Sequence, residues 1–93
     1  MIRGVQLSSR AKKDIRKAPR HIVDKLDTWI DAVEREGLAE TRKIRGYHDE
    51  RLKGGRQRQR SIRLSRSWRA IYEVRSDSAA ELVSIEEVTH HAY

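Results

Sequence analysis

The sequence predicts an α+β domain with two N-terminal helices packed on one face of a twisted, mainly antiparallel sheet, in the order β-α-α-β-β-β. Apolar residues recur every three and four positions in the first half of the chain but alternate with polar residues in the second half. Helix patterns followed by strand patterns favour helices segregated from strands. A length of 93 residues suits one domain spanning residues 1–93, because two independent cores would both be too small.

The first elements are a strand and a short helix. Residues 2–7 alternate in hydrophobicity, which predicts an opening strand. Ser8 and Ser9 follow it, and their hydroxyl groups can cap a first helix over about residues 10–17. Pro19 is expected to end this helix, since proline cannot continue one.

The second helix, over about residues 19–36, has the strongest pattern in the chain. Proline suits its first turn, where an amide donor is not needed. Gly37 provides its C-terminal cap. The helix carries one continuous apolar stripe that consists of Ile22, Val23, Leu26, Trp29, Ile30 and Val33. The two helices therefore read as a hairpin laid on a sheet.

Three strands are predicted in the second half, over residues 61–65, 68–75 and 82–88. A short extra strand near residues 51–53 is an open alternative, and residues 38–50 read as a loop. Arg66 and Ser67 form a tight connection between two of the strands, and Ser76, Asp77 and Ser78 form a turn before the last one. Alternation puts Arg63 and Arg69 on the sheet face opposite to Ile62, Leu64 and Tyr72, so helices on one face leave these arginines on the other.

Positive charge is concentrated in residues 51–75, called the basic block here. The block holds nine of the 21 basic residues and one acid, a net charge of +8, whereas the other 68 residues have 12 basic and 13 acidic residues, a net of −1. This asymmetry predicts a polyanionic ligand, whose attraction the rest of the surface should weaken little.

Composition excludes several classes of function. The chain has no cysteine, so neither disulfides nor thiol chemistry is expected. It has no apolar run of about 20 residues and no apolar N-terminal signal core, so we expect a cytoplasmic protein without a membrane partner. Ligand spacings typical of metal sites and of phosphate-binding glycine loops are absent from the sequence, so no metal or other cofactor is predicted.

The residues with the clearest chemical potential are arginines. Arg63, Arg66 and Arg69 can converge across a short turn, and guanidinium groups match phosphate oxygens and stabilise developing negative charge. The alternative is a solubilising surface without a ligand. Trp68 can stack on a nucleic-acid base, although a tryptophan at the start of a strand is more often part of the core.

The C-terminal residues His90, His91 and Tyr93 can supply proton transfer. Imidazole exchanges protons near neutral pH, and nearby arginines favour the basic forms of histidine and tyrosine. RNA carries its own nucleophile, the 2′-hydroxyl, so cleavage there needs a base, an acid and positive charge without a metal. A simple disordered C-terminus is the alternative. His21 is assigned a structural role, and His48 remains a weaker candidate because it precedes the basic block.

The segments LKG (52–54), SIRL (61–64) and WRAIY (68–72), followed by VTHHAY (88–93), resemble the core and C-terminal motifs of the RelE/ParE toxin superfamily, with the HigB and RelE branches looking nearest. The resemblance covers the second half by motif and the first half by length and helical hairpin. It implies a RelE-like fold and a toxin of a type II toxin–antitoxin system. It also implies a ribosome-dependent, metal-independent endoribonuclease that cleaves mRNA in the ribosomal A site, with a cognate antitoxin protein as partner.

The resemblance also implies roles for single residues. Arg63 and Arg69 would bind the phosphate and its transition-state charge, His91 would act as general base or acid, and Tyr93 would assist. The expected RNA-binding residues are Lys53, Arg56, Arg58, Arg60, Arg66 and Trp68. His90 and Ala92 depart from the family pattern, in which a lysine and an acid are common, so the route of the proton stays open.

Two other functions remain open from the sequence. A ParE-like inhibitor of DNA gyrase would share the fold without the nuclease residues, and a non-catalytic module would use the same charge only to bind nucleic-acid backbone. The dense basic block and the pair His91 and Tyr93 favour the nuclease.

Overall fold

A computed structural model describes residues 1–77 and 80–90 and confirms the α+β class. Its helices and strands are, in order, β1 (Gly4–Leu7), α1 (Ser9–Lys17), α2 (Arg20–Glu36), α3 (Leu38–Thr41), β2 (Glu50–Arg51), β3 (Gln59–Arg63), β4 (Trp68–Asp77) and β5 (Ala80–His90). The five strands form one sheet in the order β1-β5-β4-β3-β2. β1 pairs with β5 in parallel and all other pairs are antiparallel.

Ser8 joins the start of α1 to the sheet. Its hydroxyl oxygen accepts the amide of Ala11 at 3.0 Å, which is the predicted helix cap, and its hydroxyl donates to the carbonyl of Glu86 at 2.8 Å. Its own amide donates to the carbonyl of Ile85 at 2.9 Å. The residue between strand and helix is therefore fixed on both sides, which sets the angle at which the helical hairpin crosses β5.

The core lies between α2 and one face of the sheet, called the helix-covered face. The predicted stripe of α2 supplies the buried residues Ile22, Leu26, Trp29 and Val33. From the sheet come Ile62, Leu64, Ala70, Tyr72, Val83, Ile85 and Val88. The rings of Trp29 and Tyr72 meet at the centre with their centroids 5.0 Å apart. No helix among the described residues is long and apolar enough to cross a membrane.

The segment predicted as a loop, 38–50, contains more structure than expected. It begins with α3 and continues into a 3-10 turn at Arg45–Tyr47. Leu38 is buried in the core, and the hydroxyl of Thr41 donates to the carbonyl of Gly37 at 2.9 Å. The alternative of a short strand near residues 51–53 is realised as β2, one residue earlier.

β4 and β5 are longer than predicted, whereas β3 keeps its predicted length but lies two residues earlier. β3 begins at Gln59, and β4 continues through Ser76 and Asp77, so the turn predicted at these two residues is wrong; Ser78 lies outside the described residues. Backbone pairing explains the difference, because Ser76 pairs with Glu81 in an antiparallel ladder that the polar side chains do not interrupt.

A β-bulge interrupts the alternation of β5. Tyr72 pairs with Ile85 and Ile71 pairs with Glu87, so Glu86 is an extra residue on β5. Beyond the bulge, Val88 lies on the helix-covered face and Glu87 on the other, which we call the open face. The alternation of Val83 and Ile85 on the helix-covered face with Ser84 on the other therefore holds only up to this point.

Gly37 ends α2 with a backbone that other residues rarely adopt, at φ 88° and ψ 158°. Gly37→Ala should lower the free energy of unfolding by roughly 1–3 kcal/mol, because this region is essentially restricted to glycine. A built Cβ would also lie 2.7 Å from the Cγ of Met1. Urea unfolding measures the effect, and Gly46→Ala is the matched control, since a Cβ at Gly46 meets no atom within 4 Å. Equal stability of the two variants would contradict this account.

Candidate functional site

Arg63 and Arg69 lie directly opposite each other on β3 and β4, on the open face. Side chains paired in this way start about 5 Å apart, and like charges so placed repel each other. Arg63 is exposed and has no ion pair or side-chain hydrogen bond to any described residue. Arg63 is thus a cation without a described counter-charge beside a second guanidinium group, and the role predicted for these two residues stays a prediction.

Two neighbours hold Arg69 in place. Its Nη1 atom lies 3.4 Å from a carboxylate oxygen of Glu50 and 3.3 Å from the hydroxyl oxygen of Ser61. Glu50 pairs with Ser61 on β3, so both side chains share the open face with Arg69. The guanidinium group of Arg69 therefore has two described partners, whereas that of Arg63 has none.

The sequence analysis missed Glu50, which it placed in a loop. Its carboxylate also lies 3.9 Å from Nε2 of His48, so a chain of polar groups runs from His48 through Glu50 to Arg69. His48 is in the left-handed backbone region, at φ 49°. The signal that could have revealed Glu50 is an acid at the start of the basic block, one residue before the alternative strand near residues 51–53.

The other predicted RNA-binding cations are spread along the loops. Lys53, Arg58 and Arg66 are exposed and form no ion pair or side-chain hydrogen bond with described residues. Arg56 is bound, since it donates to Glu87 at 2.8 Å and to Gln59 at 2.7 Å. The three cations in the first group remain available to a ligand.

Two predicted RNA-binding residues do not join the Arg63–Arg69 pair. Arg60 pairs with Tyr72 on the helix-covered face, where its Nε donates to Asp49 at 2.6 Å. Trp68 lies on that face as well, packs against the core and contacts the ring of His90, with centroids 5.0 Å apart. Both positions follow from the geometry of the sheet. Trp68 is four residues from Tyr72 on β4, and Arg60 is paired with Tyr72 across the strands, so both side chains lie on the same face as Tyr72.

The expectation that the rest of the surface would hardly weaken the basic block is wrong. Pairing brings acids from outside the block next to it: Asp49 to Arg60, Glu50 to Arg69, Glu87 to Arg56 and Glu86 to Arg75. β5 supplies Glu86 and Glu87, β2 supplies Glu50, and Asp49 immediately precedes β2, so the positions of these carboxylates depend on the sheet order. Within the basic block, four of the nine cations therefore have carboxylate partners, and five have no ion pair to a described residue: Arg51, Lys53, Arg58, Arg63 and Arg66.

A buried network lies beneath the edge of the sheet. The side chain of Asp49 is 1% exposed. It accepts a hydrogen bond from Tyr72 Oη at 2.5 Å and one from Arg60, and Arg42 Nε donates to the same Tyr72 oxygen at 3.2 Å. Burial, followed by the Asp49 hydrogen bond, raises the pKa of Tyr72 to about 12, and the same carboxylate raises the pKa of Arg60 despite its burial.

The C-terminal candidates can be located only in part. His90 is the last residue of β5, and its ring faces Trp68. His91 and Tyr93, predicted as catalytic residues, lie outside the described residues.

Comparison with known proteins gives one family and a consistent fold. The sequence model described as "ParE toxin of type II toxin-antitoxin system, parDE" matches residues 5–92. A search of curated proteins gave no match.

Solved structures with a similar fold include YafQ in the DinJ–YafQ toxin–antitoxin complex from E. coli, with 20% identity, a TM-score of 0.74, and coverage of 98% of this chain and 94% of that one. The YoeB/ParE toxin from Agrobacterium tumefaciens has 16% identity, a TM-score of 0.71 and coverage of 96% and 99%. The RelBE2 toxin–antitoxin complex from Mycobacterium tuberculosis has 21% identity and a TM-score of 0.69, with coverage of 98% of this chain and 100% of that one. At these identities the likeness concerns the fold.

Asp49→Asn should lower the free energy of unfolding by roughly 2–4 kcal/mol, because Arg60 then loses its counter-charge in a largely buried setting. Thermal or urea unfolding measures the loss. Asp27→Asn on the exposed side of α2 is the control and should stay within about 0.5 kcal/mol of the parent. A loss no larger than that of the control would show that the network adds nothing to stability.

The raised pKa of Tyr72 predicts a loss of stability in alkali. A group whose pKa is higher in the folded state stabilises the fold fully below its unfolded value, near pH 10, and this stabilisation is lost as pH rises through about 12. Tyr72→Phe should therefore show a smaller decline in unfolding free energy between pH 10 and 12 than the parent. Parallel declines in the two proteins would contradict the prediction.

Proposed function

This chain belongs to the family of ParE toxins of type II toxin–antitoxin systems, and we propose that it inhibits translation as a metal-independent endoribonuclease acting on mRNA at the ribosome. The observation that carries the proposal is the opposed pair Arg63 and Arg69 on the open face, with the carboxylate of Glu50 at 3.4 Å from Arg69. Two guanidinium groups and a carboxylate would supply the positive charge and the base that metal-free cleavage of RNA requires, and an acid is the third requirement.

The reaction uses the 2′-hydroxyl of RNA as nucleophile. Its oxygen attacks the adjacent phosphorus and loses its proton to a base, the bond from phosphorus to the 5′ oxygen breaks, and that oxygen takes a proton from an acid. The products are a 2′,3′-cyclic phosphate and a free 5′-hydroxyl. Negative charge increases on the phosphoryl oxygens in the transition state, where Arg63 and Arg69 oppose it.

Each step has a candidate residue. Arg63 and Arg69 hold the phosphate, and Lys53 adds a further free cation on the loop beside β3. Glu50 is exposed and oriented by Arg69, which suits it to accept the 2′-hydroxyl proton. The second proton transfer is assigned to His91 with help from Tyr93, as the family resemblance implies.

The proposed function also implies an antitoxin as binding partner and the cytoplasm as the cellular compartment. Two of the structural relatives are described as toxin–antitoxin complexes. An antitoxin protein would hold this toxin inactive in the cytoplasm, and acidic residues of the antitoxin would be drawn to the free cations of the basic block.

Inhibition of DNA gyrase is the second candidate, and the description of the matching family as ParE toxins favours it. This activity would require a surface that binds gyrase but no proton transfer. The two functions therefore differ in their sensitivity to conservative changes of charge at Glu50 and Arg69.

Arg69→Ala should reduce mRNA cleavage roughly 10²- to 10³-fold, since it removes a group that stabilises transition-state charge. The measurement is sequencing of transcript ends after brief induction, with and without translation, together with growth. Arg35→Ala, on the exposed side of α2, is the matched control and should cut as the parent does. Intact mRNA combined with altered DNA supercoiling in cells that express the parent would replace this proposal by the gyrase function.

Glu50→Gln should separate binding from chemistry. The amide keeps the size of the side chain but cannot take a proton, so the cleavage rate should fall by roughly 10²-fold or more, the usual contribution of a general base. Affinity for a non-cleavable 2′-O-methyl RNA should stay the same or rise, because a negative charge is removed. Glu34→Gln serves as the control on α2, and an unchanged rate in Glu50→Gln would exclude Glu50 as the base.

A further inference from the structure

A second cationic feature lies at the edge of the sheet, beside the start of β3 and the middle of β4. It is a recess of about 470 Å³ whose lining includes Arg42, Arg51, Arg58, Arg60 and Tyr72. Binding sites for small ligands commonly measure 300–1,000 Å³, so the recess has room for one nucleotide. The Arg63–Arg69 pair does not line it.

The charge of the recess is mostly uncompensated. Arg51 and Arg58 are exposed and form no ion pair or side-chain hydrogen bond with any described residue. Arg42 uses only its Nε, toward Tyr72, which leaves its terminal amino groups without a described partner. One acid, Glu73, also lines the recess, and it is 3.6 Å from Arg75 and 3.4 Å from the side-chain amide of Gln59.

The floor of the recess is rigid. Tyr72 is fully buried, and its hydroxyl is fixed between Arg42 and the buried Asp49, which also holds Arg60. Arg42 is therefore oriented before any ligand arrives, and less side-chain entropy is lost on binding. Because the network binds the side chains of Arg42 and Arg60, it helps to hold four arginines close to one another around the recess.

β2 connects this recess to the open face. Glu50 and Arg51 are adjacent in β2, and adjacent strand residues point to opposite faces. Glu50 contacts Arg69 and Arg51 lines the recess, although their Cα atoms are only about 3.8 Å apart. β2 is the edge of the sheet and only two residues long, so an extended chain can pass around it from one face to the other.

We infer that the recess binds one backbone phosphate, with its sugar, of the same RNA strand that the Arg63–Arg69 pair holds, a few nucleotides from the bond that is cut. The inference rests on the proposed function. A single RNA strand is a flexible, continuous polyanion with phosphates close enough to reach both faces, which an isolated acidic side chain of a protein does not match. Arg51 and Arg58 would contact the phosphate, and Arg42 would fix its orientation through a planar, charge-assisted hydrogen bond.

Binding of non-cleavable 2′-O-methyl RNA tests this without requiring catalysis. For a dodecamer, Arg51→Gln/Arg58→Gln should weaken binding about tenfold, the effect of losing charge-assisted contacts. The slope of log affinity against log salt should also become shallower by about 0.7, as for one phosphate contact. A trimer, too short to reach both faces, should bind the double variant and the parent equally. Arg16→Gln/Lys17→Gln on α1 removes the same charge and should bind the dodecamer as the parent does.

Inorganic phosphate gives an independent measurement on the full chain. In ¹⁵N spectra of arginine side chains, phosphate should shift the signals of Arg42, Arg51 and Arg58, and it should do so equally in Arg69→Ala. The parent could fail to cut mRNA while phosphate still shifts these signals and the double variant still binds the dodecamer more weakly. That result would reject the proposed function but support the recess as an RNA-binding site.

Three results would overturn the inference. The first is an equal loss of affinity for trimer and dodecamer, and the second is an absence of phosphate-induced shifts at the three arginines. The third is tighter binding of a hexaglutamate peptide than of the dodecamer at the recess, which would assign it to an acidic protein segment.

Discussion

The carboxylate of Asp49 is the constraint on which the candidate site depends. It is buried and joins Tyr72 in the central strand β4 to Arg60 in β3, while Asp49 itself immediately precedes β2. A charged group removed from water must keep its partners, so the residues next to it have little freedom. The orientation of β2 follows, with Glu50 on the open face and Arg51 toward the recess. One buried charge thus positions a carboxylate and an arginine on opposite sides of the sheet.

The open face combines attraction with repulsion. Arg63 and Arg69 face each other at a pairing position where like charges are unfavourable, and Glu50 compensates only one of them. Elsewhere on the same sheet, arginines such as Arg56 and Arg75 have carboxylate partners from β5. The half-compensated pair therefore differs from these arginines, because Arg63 is left without a described carboxylate partner.

Much of the fold could be predicted because periodicity reports burial directly. The α2 stripe and the alternation of Ile62 and Arg63 each identify a face without knowledge of the rest of the chain. The sequence could not identify Glu50 as a neighbour of Arg69, since that contact depends on the pairing of a two-residue strand. Alternation from Ile62 would have put Arg60 on the helix-covered face, but the predicted strand began at residue 61, so Arg60 and Arg63 were not assigned to opposite faces. The sequence also could not reveal the acids that β5 brings to Arg56 and Arg75.

The extra residue at Glu86 determines the phase of the side chains at the end of β5. Val88 faces the helices because two residues of β5, and not one, separate the partners of Tyr72 and Ala70. If the same sequence continued without the bulge, Glu86 would pair with Ile71 and Glu87 with Ala70, so Glu87 would meet the aliphatic interior and Val88 would lie on the open face. The bulge, and not the composition, therefore decides which residues are buried at this end of the strand, and a deletion of Glu86 alone would keep the same residues on each face.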